Sequence, residues 1–297
     1  MPNLTDDVRA RVEAIANDNQ NGAVYLARQA AEVLSEVSFL DNYQQALDEA
    51  CRALVAAQPS MAPIVNLANN ALRTAISPSS LRGLCRGFVR GLEEGVRRIT
   101  KHAVPLIRPG STVLTYSASQ TVRDALAGAW TSGVEFRVLC TESRPVCEGT
   151  AQARELAATG IPVTVAVDAG LLDLVRRADT LLTGADAVAV HGVINKIGTS
   201  LLALAARHLG KNLYVLCGSE KFVPTGYRLL EEPLRPGGEI VRDPPANLRV
   251  ENRYFDVTPL DWVAGFLTEE GQLSSWQIRE RIERNELHPA LVTHNPS

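Results

Sequence analysis

The chain has 297 residues, 45% of them hydrophobic and 21% charged, an ordinary globular balance with room for one large domain or two modest ones. A formal net charge of −3 gives no electrostatic reason to expect nucleic-acid binding, and no apolar run approaches the roughly 18 residues a membrane span requires. Residues 1–7 are polar and acidic, unlike a secretory signal, and five scattered cysteines without paired metal-site spacing suit reduced thiols in a cytoplasmic protein.

From Asp6 to about His102 the periodicity is helical. Val8, Val12, Ile15 and Ala16 share one apolar face, and residues 23–37 and 43–57 follow, both rich in Ala and Leu. Pro59 and Pro63 interrupt the pattern before residues 64–76 resume it. Ser77-Pro78 supplies a cap and a proline for the first helical position, opening the arginine-rich helix 81–101. These arginines read as a solvated face, with phosphate contact as the alternative. After the turn Arg108-Pro109-Gly110 the period changes. Strand-like runs at 111–117, 134–139, 163–167, 180–183 and 213–216 alternate with helical runs at 120–132, 151–159, 171–177 and 201–208. That alternation predicts a doubly wound, mostly parallel Rossmann-like sheet. One further strand and a terminal helix over 275–283 close the chain. The expected division is a helical domain over 1–105 and an α/β domain over 106–297.

Nicotinamide, P-loop and zincin signatures are absent. The chemistry gathers instead at strand ends. Ser117 and Ser119 follow the first strand, Arg144 the second, Asp168 the third and Asp186 the fourth, and parallel strands share the edge where their C-termini lie. Singly, the serines and Asp168 read as helix caps and Arg144 as a surface ion pair. Together they predict one crevice. Residues 184–199 read as a polar loop between a strand and a helix, with Asp186 as acid or base, His191 as a loop residue and Lys196 as an anion contact. Gly192 and Gly198 permit close backbone approach, and unpaired N–H groups of the following helix would seat an anion. Cys140 and Cys147 read as small buried hydrophobes.

The segments TESRPxxxG, VxVDA, GADAVxxxGxINKIGTS, EKFVP and FDVTP occur in that order. Over roughly residues 10–285 the chain resembles the family joining the alpha, beta and delta subunits of eukaryotic initiation factor 2B with two sugar-phosphate isomerases. Those enzymes are ribose-1,5-bisphosphate isomerase, whose branch looks nearer, and methylthioribose-1-phosphate isomerase. The resemblance implies conversion of an aldose 1-phosphate to a ketose 1-phosphate without metal or organic cofactor, in a homodimer or larger homo-oligomer. It maps the catalytic aspartate onto Asp186 and the substrate-contacting Asn-Lys pair onto Asn195 and Lys196, and it adds Ser119, Arg144, Asp168 and Lys221 to the binding set. The catalytic cysteine falls on Ser117, a much poorer acid or base than a thiol. An N-terminal arginine falls on Asn21, and another is missing where Gln58-Pro59-Ser60-Met61 stands. Two readings follow: an isomerase using Asp186 with Ser117 or water in place of the thiol, or a non-catalytic regulator that binds a phosphorylated sugar or nucleotide.

Overall fold

A computed structural model describes residues 2–18, 22–227 and 234–292. Five helices open the chain: α1 (Asp6–Asn17), α2 (Ala23–Val37), α3 (Tyr43–Ala57), α4 (Ala62–Thr74) and α5 (Pro78–Ala103). Their apolar stripes meet in one cluster around Leu26, Leu34, Leu47, Leu54, Ile64 and Leu67. Burial of each such side chain stabilises the fold by about 1.5–3 kcal/mol. Ser77 accepts from the Ser80 N–H while Ser80 bonds back to the Ser77 N–H, a capping box that sets the start of α5. This helix serves two cores. Leu81, Cys85 and Leu92 lie in the helical cluster, whereas Ile99 and Ala103 pack beneath the sheet.

In chain order the strands are β1 (Thr112–Tyr116), β2 (Arg137–Thr141), β3 (Val163–Ala166), β4 (Thr180–Thr183), β5 (Ala187–Ala189), β6 (Gly192–Lys196), β7 (Leu213–Leu216), β8 (Phe255–Thr258), β9 (Gly265–Thr268) and β10 (Gly271–Leu273). The helices among them are α6 (Gln120–Thr131), α7 (Glu148–Ala158), α8 (Leu171–Arg177), α9 (Thr199–His208) and α10 (Ser275–Glu283). The larger sheet runs β10-β9-β7-β4-β1-β2-β3, parallel throughout except for the β9–β10 hairpin. The five strands read from the sequence form one continuous block, β7-β4-β1-β2-β3. Among the described residues no helix is long and apolar enough to cross a membrane.

One expectation changes here. Residues 184–199 are not a simple strand-to-helix loop. β5 and β6 form a hairpin turning at Val190 and exposed His191, and β8 joins them in a separate antiparallel sheet ordered β5-β6-β8. In the larger sheet β1 has β4 on one side and β2 on the other, so the winding reverses beside β1. Doubly wound sheets open a crevice at the strand C-termini where that reversal occurs.

Candidate functional site

A cavity of about 620 Å³ opens at the reversal, within the size range of small-molecule sites. Ala118, Ser119, Gln120 and Thr121 border it where β1 passes into α6, and Gly184, Ala185 and Asp186 border it after β4. Asn195 of β6 and Lys221 complete the sheet side, while Arg28 of α2 and Glu93 and Arg97 of α5 stand on the helical side. Ser119 does cap α6, its Oγ accepting from the Val122 N–H at 3.4 Å, yet it still lines the cavity. A Cβ on Gly184 would sit 2.5 Å from the Ser119 Oγ, so a glycine lets the two strand-end loops close together.

The polar groups of this cavity are only partly committed. Asn195 donates to Thr183 Oγ1 at 3.2 Å and Thr199 Oγ1 at 2.9 Å, which fixes its amide and leaves the carboxamide oxygen available. The Lys221 ammonium donates to the Ala185 carbonyl and retains two further N–H donors. Arg28 pairs with Glu93 at 2.8 Å. Arg97 is exposed and makes no hydrogen bond or ion pair among the described residues. The first turn of α6 adds backbone N–H groups of the kind that favour anions.

The remaining strand-end residues do not line this cavity, so the expectation of a single crevice is corrected. Ser117, held at φ 64°, turns its Oγ to Glu148 Oε1 at 3.1 Å. The same oxygen pairs with the Lys196 ammonium at 2.6 Å, and the Lys196 Nζ lies 4.6 Å from the centre of the Tyr254 ring. Ser117 and Lys196 are buried at 6% and 7% exposure. Lys196 is thus charge-paired within the protein and does not line the cavity. Because side chains alternate along a strand, Asn195 and Lys196 leave β6 on opposite sides.

Asp168 neither caps a helix by its side chain nor reaches the cavity. Its carboxylate accepts the Ser143 N–H at 2.9 Å and the Arg144 N–H at 2.7 Å, pinning the loop after β2. Ser143 in turn accepts the Ser117 N–H at 3.0 Å. The Arg144 guanidinium donates to the Glu239 carbonyl at 2.8 Å on the protein's exposed side, so no surface ion pair forms there among the described residues.

The start of α9 is likewise closed to an anion. Asp256 of β8 accepts from the Gly198 N–H at 2.8 Å and from the Ser200 Oγ at 2.7 Å, occupying the N-terminus from within. Burial raises the Asp256 carboxyl above its ordinary value, although these hydrogen bonds pull the other way. Gly198, at φ 100°, has no room for a Cβ beside the Tyr116 hydroxyl, which donates to the Ile197 carbonyl at 2.7 Å. Burial also pushes the Cys140 thiol up to about 11, fitting its reading as a small hydrophobe. Cys147 is half-buried rather than buried.

Four charged residues of the cavity, Arg28, Glu93, Arg97 and Asp124, were not singled out by sequence. The only signal was the arginine-rich run on α5, read there as a solvated face. Glu148 sits inside the TESRPVCEG segment, but nothing in its spacing reveals that it bridges β1 and β6. Asn21 lies outside the described residues. Gln58, where an arginine is missing, donates to the Ile15 carbonyl at 2.8 Å and so anchors the end of α1.

Residues 19–275 match the initiation factor 2 subunit family. The chain is 30% identical to the ribose 1,5-bisphosphate isomerase of Thermococcus kodakarensis, covering 99% of this chain and 98% of that protein. It is 35% identical to a protein of Pyrococcus horikoshii named as an eIF-2B subunit 2-like translation initiation factor, covering 90% and 96%. The crystal structure of translation initiation factor eIF-2B from Pyrococcus horikoshii superimposes with a TM-score of 0.79 at 32% identity, covering 91% of this chain and 98% of that one.

Proposed function

The chain belongs to the initiation factor 2 subunit family, and from that premise we propose that it binds a phosphorylated sugar at the β1–β4 reversal and isomerises it from an aldose 1-phosphate to a ketose 1-phosphate. One observation carries the reading: a strand-end carboxylate, Asp186, shares a cavity with the Lys221 ammonium, the Asn195 carboxamide and the first turn of α6. The phosphate sits among the cationic groups and the α6 N–H groups. Ring opening needs a proton at the ring oxygen, and isomerisation moves a proton from C2 to C1 while the C2 hydroxyl loses its own as the carbonyl forms. Asp186 is the acid–base group for these transfers, and Lys221 stabilises negative charge developing on the sugar oxygens.

The test is proton NMR of the purified protein with ribose 1,5-bisphosphate, methylthioribose 1-phosphate and ribose 1-phosphate, beside Asp186→Asn, with deoxyribose 1-phosphate as the control that lacks the C2 hydroxyl and cannot form a ketose. A ketose product that disappears in the variant supports the proposal. A different reading, a regulator that binds such a ligand without turning it over, draws on the Ser117 hydroxyl being directed to Glu148 rather than to the cavity. Ligand-induced broadening or thermal stabilisation without product would select it.

The reading extends to assembly. α9 leaves Leu201 62% and Leu204 50% exposed, and β8 leaves Val257 46% exposed, an outward apolar surface suited to a second copy of the chain. A homodimer by sedimentation, converted to monomer by Leu201→Asp, is the expected result.

A further inference from the structure

The cavity is large enough for either a singly or a doubly phosphorylated pentose, so volume does not choose between them. Charge does. Among the described residues, the ionisable acids and bases lining it, apart from Tyr25, are Arg28, Arg97 and Lys221 against Glu93, Asp124 and Asp186, three of each sign and no net charge. Their state of commitment is unequal. Arg28 already holds Glu93 at 2.8 Å, and Lys221 is 9% exposed with one N–H on the Ala185 carbonyl. Asp124 accepts a long bond of 3.4 Å from Gln120. Arg97 alone among the three cations is exposed and has no partner among the described residues.

We infer that Arg97 is the phosphate-selecting residue of this cavity, and that the ligand it selects is a sugar carrying one phosphate rather than two. The inference rests on the sugar-phosphate reading above and narrows its substrate class. A phosphate ester carries about −1.5 to −2 charges near neutral pH, and a guanidinium presents a planar pair of donors matched to two of its oxygens. One unpaired guanidinium, helped by the Lys221 ammonium, neutralises one such group. A second phosphate meets Asp124 and Asp186, or must displace Glu93 from Arg28, and either outcome opposes binding by like-charge repulsion or by breaking an existing pair. The neutral end of a monophosphorylated sugar carries no such penalty, and its hydroxyls can donate to carboxylates and to the Asn195 oxygen.

Titration calorimetry of the full chain with ribose 1-phosphate, ribose 1,5-bisphosphate and inorganic phosphate tests this. In the unmodified protein the monophosphate is expected to bind at least about tenfold more tightly than the bisphosphate, a step of one RT ln 10. Arg97→Gln, at an exposed position that should not disturb folding, is expected to lose about tenfold for the monophosphate and for inorganic phosphate. Arg97→Lys should recover only part of that loss. Glu93→Gln frees Arg28 and should narrow the gap between the two esters to about threefold. Melting temperatures of all variants check that each is folded. Equal or tighter binding of the bisphosphate by the unmodified protein, or an unchanged monophosphate affinity in folded Arg97→Gln, overturns this inference while leaving the sugar-phosphate reading intact. No binding of any of the three ligands overturns both.

Discussion

Two polar regions flank β6, and they differ in whether their groups face the cavity or pair with one another. On the Asn195 side the groups face an open cavity and keep unused bonding capacity: the Asn195 oxygen, two donors of Lys221 and the whole of Arg97. On the Lys196 side the charges pair with one another, although the second Glu148 oxygen, Oε2, is buried without a hydrogen-bond partner among the described residues. Ser117 and Lys196 share one oxygen of Glu148, Tyr254 covers the ammonium, and Asp168 and Ser143 hold the adjoining loops. A protein with buried charge must pair it, and paired charge is poorly suited to recruit a ligand. The polar residues of this strand therefore divide into one that faces the cavity, on which the proposed site draws, and one that is paired within the fold, and the division follows the pleat.

The largest expected effect breaks this comparison most directly. Asp186→Asn should lower turnover by about 10²- to 10⁴-fold while ligand binding persists, the loss expected for one acid–base group. Ser117→Ala should change turnover by less than about threefold, since removing a donor beyond the cavity wall takes no group from the ligand. Steady-state kinetics of both variants on the substrate found by NMR decide the matter. If Ser117→Ala is as damaging as Asp186→Asn, the closed region opens during the reaction and the two sides of β6 act as one site.

How much of this was legible in the sequence depends on how far apart the interacting residues lie. The helices α2 and α3 and the five-strand parallel block follow from local apolar runs, which these elements bury except for the edge strand β3, where Thr164 and Val165 stay exposed. The position of Asp186 follows too, since a strand end before a winding reversal projects into the crevice. The partition of Asn195 from Lys196 does not. It depends on β6 being a strand, which depends on β8 pairing beside it from a distant segment, with Lys196 opposite Phe255. Read as a loop, residues 184–199 place all their polar groups in one crevice; read as a hairpin, they alternate. Arg97 was hidden for a related reason. A helix rich in arginine is ordinarily solvated, and only the placement of α5 over the strand ends sends one of its guanidinium groups into a cavity.

The closed region makes a prediction of intermediate size. Glu148→Gln leaves the Lys196 ammonium without its counter-charge at a largely buried position, with side-chain exposures of 9% for Lys196 and 21% for Glu148. A destabilisation of about 3 kcal/mol is expected, as for breaking one half of a buried pair. The double variant Glu148→Gln, Lys196→Met should lose less than the sum of its single variants, because neither charge is then left alone. Urea denaturation of the three variants measures the coupling. Additive losses would mean that the pair contributes no coupling and that Lys196 is held by Tyr254 and Phe255 alone.

Asp256 sharpens the comparison at its smallest scale, because it seals α9 yet its carboxyl is raised by burial. Between the ordinary value of 3.8 and the raised one, the folded chain keeps a proton that the unfolded chain has released. Stability attributable to this group therefore falls as pH rises through that window, the reverse of a carboxylate held by a salt bridge. Asp256→Asn keeps an acceptor for the Gly198 and Ser200 N–H groups and removes the titration. Denaturation midpoints measured from about pH 4 upward should show the unmodified protein losing ground to the variant. If the unmodified protein gains ground instead, the first turn of α9 stabilises Asp256 as an anion more strongly than burial penalises it. The helix start would then be a genuine anion seat, already filled by the chain's own carboxylate.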